Sequence, residues 1–116
     1  MKLQIEANLL RFRISEAELV DLMAGRSVID QTQTPDGVVH GRQLRLQTLD
    51  SPLLSWQAQQ IELILPRAAV DTYITALPRK DALRFQMGAE GGLQLDFEVD
   101  VRDSVRTRLP AKQRRT

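Results

Sequence analysis

Cysteine is absent from the 116 residues. That excludes disulfides, thiolate metal ligands and a cysteine nucleophile, and it suits a reducing compartment. Aromatic side chains make up only 4% of the chain, which leaves little for stacking on nucleic-acid bases. The one histidine, His40, has no second imidazole to share a metal with and no Ser/His/Asp signature around it. Apolar runs are a few residues long, far short of the ~20 that a membrane span requires. The opening Met1-Lys2-Leu3-Gln4-Ile5-Glu6 holds no apolar leader core, so the expected location is the cytoplasm, with no membrane association. A phosphate loop is missing too: Gly88-Ala89-Glu90-Gly91-Gly92 lacks Lys, Ser and Thr and carries an acid where an anion would sit.

What is present describes an ordinary domain. The composition is 42% hydrophobic and 27% charged, a globular profile. At this length a single core forms, burying about two-thirds of the unfolded surface. The formal charge of +1 hides an asymmetry. From Arg102 onward stand Arg102, Arg106, Arg108, Lys112, Arg114 and Arg115 against Asp103 alone, a balance of +5, which leaves a body of −4. Alternation also stops after Asp103. The expected organisation is one α+β domain over 1–103 and a basic, mobile tail over 104–116.

Within the domain, period-two patterning dominates. Leu3, Ile5 and Ala7 share one face, and Leu10, Phe12 and Ile14 share another after a change of parity, which predicts a β-bulge near Asn8. Ser15 with Glu18 spells a capping box, followed by Ala17, Leu19, Leu22 and Met23 and a stop at Gly25. Pro35-Asp36-Gly37 turns a hairpin between 28–34 and 38–48. A second long strand is expected over 53–65. Pro66 then reads as the first residue of a helix that Pro78 ends. A last hairpin spans 83–101 around the 88–92 glycines.

The two halves repeat. At a shift of 51 residues, Leu3, Ile5, Leu10, Phe12 and Ile14 fall on Leu54, Trp56, Ile61, Leu63 and Leu65. The parity switch and the helix positions coincide as well, and Gly41, Leu44 and Leu46 fall on Gly92, Leu95 and Phe97. Each half reads β(bulged)-α-β-β. Together they predict a mostly antiparallel, six-stranded sheet or small barrel with two short helices and a pseudo-twofold axis. Lys2-Leu3-Gln4-Ile5 with Asn8-x-Leu10-Arg11-Phe12-Arg13 resembles the K-L-x-I-x-x-N-x-L-R-x-R opening of a small uncharacterised bacterial protein family, a domain of unknown function. Residues 61–66 and Leu93-Gln94-Leu95 with Glu98 and Asp100 extend the likeness. A Cys that follows the closing acidic pair in that family has no counterpart here. The resemblance implies a grouping by fold and no chemistry.

Three features bear on function. Asp96, Glu98 and Asp100 line one face of the last strand, ~7 Å apart, where they would serve a hard cation such as Mg²⁺ or Ca²⁺. A solvated face balanced by Arg11, Arg13 and Arg45 explains them more simply. His40, near the Gly37 turn, reads as an exposed polar residue, and Trp56, alternating with Leu54 and Ala58, as core. The tail residues Arg106, Arg108, Lys112, Arg114 and Arg115 are candidates for phosphate neutralisation, without aromatic residues among them for stacking. No cofactor is expected. The reading these features favour is a non-catalytic binding or interaction module, acting on a protein partner or a second copy of itself. Nucleic-acid binding through the tail is the alternative, and a small metal-assisted enzyme built on the carboxylate row comes third. Deleting residues 104–116 is expected to change unfolding free energy by no more than about 0.5 kcal/mol, as for solvent-exposed segments, measured by urea denaturation.

Overall fold

The computed structural model describes residues 1–78 and 81–101, so the whole tail lies outside the described residues. Eight strands and two helices follow in the order β1 (Lys2–Glu6), β2 (Leu9–Ser15), α1 (Glu16–Met23), β3 (Val28–Gln33), β4 (Val39–Gln47), β5 (Leu53–Gln57), β6 (Gln60–Pro66), α2 (Arg67–Thr75), β7 (Leu83–Met87) and β8 (Leu93–Asp100). They form two mixed four-stranded sheets, β1-β2-β8-β7 and β3-β4-β6-β5. The fold is α+β, as the patterning predicts. Among the described residues no helix is long and apolar enough to cross a membrane.

The six strands of the sequence reading are eight because both parity switches are turns. Ala7-Asn8 and Ala58-Gln59 reverse the chain, so that β1 pairs antiparallel with β2 and β5 with β6. A bulge and a two-residue turn both shift parity by one position in an alternating sequence, and Asn8 suits the turn. Neither sheet closes into a barrel. Each half is a ββαββ unit, and each sheet takes one hairpin from each half. They are joined by parallel central pairs, β2 with β8 and β4 with β6.

The repeat holds in this topology, with a correction to its register. Strands β5 and β6 follow β1 and β2 at an offset of 51, with identical bounds. Leu9 faces Gln94 while Gln60 faces Gly41, so β8 follows β4 at an offset of 53. Leu44 therefore corresponds to Phe97 and Leu46 to Val99, two residues beyond the partners expected. Val28, opposite Leu44, corresponds to Leu83, opposite Phe97. A shift of two leaves strand parity unchanged, which is why the apolar pattern matched at the wrong offset.

The core lies between the sheets. Leu10, Phe12, Ile14, Leu95, Phe97 and Val99 from one meet Val28, Leu44, Ile61, Leu63 and Leu65 from the other, all buried. Leu22 of α1 and Val70 and Tyr73 of α2 join the same cluster. Tyr73 stands edge-on to Phe97 with ring centroids 6.0 Å apart, and its hydroxyl donates to the Asp81 carbonyl. That supplies the polar partner a buried tyrosine needs.

The helix starts differ between the halves. The Glu18 N–H donates to Ser15 Oγ (3.1 Å) and the Ser15 N–H to Glu18 Oε1 (2.9 Å), completing the capping box. Glu18 Oε2 also accepts from the Met1 amino group at 2.8 Å. At the corresponding place Pro66 is the N-cap residue rather than the first helical one, and it makes no side-chain cap. Ser15→Ala is expected to lower unfolding free energy by about 1 kcal/mol, the usual worth of a side-chain N-cap, whereas Pro66 offers α2 no such bond to lose. Chemical denaturation of Ser15→Ala against the parent checks it.

Candidate functional site

The carboxylate row belongs to an ion-pair ladder. Register sets Arg11 beside Asp96 and Arg13 beside Glu98 across the β2–β8 pair, and Arg84 beside Asp96 across β7–β8. Arg84 Nε and Nη2 reach the two Asp96 oxygens at 3.0 and 3.4 Å, Arg11 Nη2 lies 3.4 Å from Oδ2, and Gln94 Nε2 donates to Oδ1 at 3.2 Å. Arg13 lies 3.7 Å from Glu98 and 3.6 Å from Asp100. Asp96 points away from the core, yet it is fully buried beneath these side chains. Its oxygens are engaged where a cation would need them. Among the described residues no three His, Asp or Glu side chains converge as a metal site. Arg45, expected in this ladder, stands on the other sheet and pairs with Glu62 at 3.6 Å. Arg84 takes its place.

The outer face of the first sheet is electrically balanced, with Lys2, Arg11, Arg13 and Arg84 against Glu6, Asp96, Glu98 and Asp100. It is not a basic surface. The tail candidates Arg106, Arg108, Lys112, Arg114 and Arg115 lie outside the described residues.

A concave site occurs elsewhere, at one mouth of the space between the sheets. Arg42, Ile61 and Trp56 form one row across β4, β6 and β5. They share the inward face with buried Leu44, Leu63 and partly buried Leu54 of the next row. Leu3 and Ile5 of β1 face them, and His40 stands two residues from Arg42 on the same side of β4. Together with Gly41, Ala58 and Gln59 they enclose a cleft of about 210 Å³. A shallower depression at the Thr34–Val38 turn shares His40 and Gln59 with it.

Trp56 is 51% exposed and Ile5 55% exposed, so the tryptophan is not core, contrary to the sequence expectation. Its strand position faces inward, but it sits in the last inward-facing row before the turn, where the opposite sheet leaves it half exposed. His40 is exposed as expected, yet it lines the cleft. Arg42 Nη2 pairs with Asp30 at 3.2 Å, and the hydrogen bond from Arg42 is the main influence holding the Asp30 carboxyl below its ordinary pKa.

The repeat marks this mouth as special. By strand register, Asp30, His40 and Arg42 occupy the positions that Phe85, Leu93 and Leu95 fill in the other half. Leu95 is fully buried, and Phe85 and Leu93 pack on the core. One half thus places polar groups where its twin places apolar ones, on inward positions. At the offset of 51 the contrast is weaker, because Asp30 then falls on Asp81 and His40 on Gly91, and only Arg42, on Leu93, meets an apolar counterpart.

No known family description matches the chain, and no curated protein matches it in sequence. The likeness of its opening to the K-L-x-I-x-x-N-x-L-R-x-R pattern rests on those residues alone.

For Asp96, burial would raise the carboxyl pKa, but hydrogen bonds from Arg84, Gln94 and Arg11 outweigh it and hold the pKa below the ordinary aspartate value of 3.8. A carboxyl depressed by folding contributes stability that is full above its unfolded pKa and is lost as pH falls through the folded one. Asp96→Asn should therefore cost about 2 kcal/mol at neutral pH, the scale for stranding buried hydrogen-bonding groups. The difference from the parent should shrink as pH drops below 3.8, which denaturation across a pH series measures.

Proposed function

We propose that the domain is a non-catalytic binding module that takes a small organic ligand in the cleft beside Trp56. The observation that carries this reading is the exchange of Phe85, Leu93 and Leu95 for Asp30, His40 and Arg42 at matched inward positions. Departures from an otherwise consistent core mark functional places. The apolar walls with a few convergent polar groups have the make-up of a ligand site. The lining carries no Ser, Thr, Lys, Asp or Glu, so a nucleophile or a carboxylate base beside the ligand has no support there. The cysteine-free composition supports a reducing location such as the cytoplasm.

The chain's single tryptophan lies in this cleft, so its indole N–H gives one resonance that reports on the site. In a nuclear magnetic resonance screen of chemically varied small molecules, binders should shift that resonance together with the Gly41 and Gln59 amides. Shifts confined to other surfaces, or none across the set, would overturn the reading.

A further inference from the structure

We infer that the ligand of this cleft is a small organic acid with a flat apolar body, its acid group held by Arg42 and its body lying against Trp56. The inference deepens the reading of the cleft as a binding site and rests on it. The row geometry sets the length. Adjacent strands stand ~4.8 Å apart, so Arg42 on β4 and Trp56 on β5 face each other roughly 10 Å apart across the floor made by Ile61 on β6. A ring with an acid group on a short arm spans that width. The cleft has a volume of about 210 Å³, which suits a small organic molecule.

The chemistry of the two ends differs. At one end the indole, Ile5 and Ile61 offer apolar surface; Trp56 and Ile5 are half exposed and stand to gain from being covered. At the other, Arg42 is only 17% exposed at its side chain, and Asp30 occupies it through Nη2. A guanidinium presents five N–H donors in a fixed fork, so one carboxylate neighbour leaves donors for a second. Arg42 and His40 line the same wall, and neither Asp30 nor any other carboxylate is among the lining residues. At that end Arg42 offers donors only, and a planar anion matches a guanidinium in two parallel hydrogen bonds.

Phenylacetate and phenylacetamide are matched probes, alike in ring and reach and unlike in charge, while inorganic phosphate has the charge without the ring. Titrations followed at the Trp56 indole resonance should show phenylacetate binding about tenfold more tightly than the amide, the factor a charge-assisted hydrogen bond contributes. Phosphate should bind more weakly than phenylacetate. Arg42→Gln should abolish the preference for the acid, weakening phenylacetate binding about tenfold. Asp30→Asn, which removes the competing carboxylate without touching the lining, should strengthen phenylacetate binding several-fold and leave the amide unchanged. Dispersion of the amide spectrum shows that each variant is folded. Equal binding of acid and amide by the parent, phosphate matching phenylacetate, or unchanged or weaker acid binding in Asp30→Asn overturns the anion assignment alone. If neither aromatic probe moves the indole resonance while the protein is folded, the aromatic-acid assignment falls, and the binding reading of the cleft falls only if the wider set of molecules is silent too.

Discussion

Everything in this fold hangs on two parallel strand pairings, β2 with β8 and β4 with β6. They run through the middle of the sheets and carry the most buried side chains: Phe12 beside Phe97, Leu10 beside Leu95 and Leu44 beside Leu63. Each pairing joins strands from opposite halves of the chain. A half by itself would own two hairpins but no sheet centre, and its apolar faces would lie open. The halves are interlocked rather than stacked, so the core is common property. Helices of eight and nine residues are too short to persist alone. They are stable because Leu22, Val70 and Tyr73 insert into that shared core.

The interlocking also explains how one mouth became different from its counterpart. Matched core positions experience matched surroundings, so apolar residues are expected at both. Where the halves disagree, as at Arg42 and Leu95, the local environment differs and the fold tolerates it because the rows beyond are intact. The charged ladder on the first sheet is a departure of another kind. It faces outward, and Asp96 is covered by arginine stems instead of by the domain interior. Its role follows from its saturation: a carboxylate holding Arg84, Arg11 and Gln94 fastens β2, β7 and β8 together across their outer face.

Much of this was legible from residue order. Alternation gave the strands, Ser15 with Glu18 gave the start of α1, and the shift of 51 gave the kinship of β1, β2 and α1 with β5, β6 and α2. Two things were not legible, each for a physical reason. A parity change has two structural solutions, and Ala7-Asn8 and Ala58-Gln59 lack the glycine that announces a tight turn, so one long bulged strand fitted as well as a hairpin. The register of β4 against β8 slipped by two because period-two patterns are blind to even shifts. With that slip the polar contrast at Asp30 and His40 vanished and only that at Arg42 survived, and Trp56, inward by parity, pointed to the core. Parity tells which way a side chain points. It does not tell whether anything stands opposite.

The twin sheets are unlike in the order of their parts along the chain. Strands β3 to β6 form an unbroken stretch, and the pairing of β4 with β6 joins residues 19 apart, as in Leu44 with Leu63. The other sheet gathers the two ends of the domain, with Arg11 and Asp96 separated by 85 positions. Closing the longer loop costs only about 1 kcal/mol more in chain entropy, because that cost grows logarithmically with length. Its effect on timing is larger, since distant pairings slow folding far more than they weaken the product. During synthesis the β2 edge that β8 will cover has no partner until β8 has been made. The sheet that bears the ion-pair ladder is thus the last to be completed.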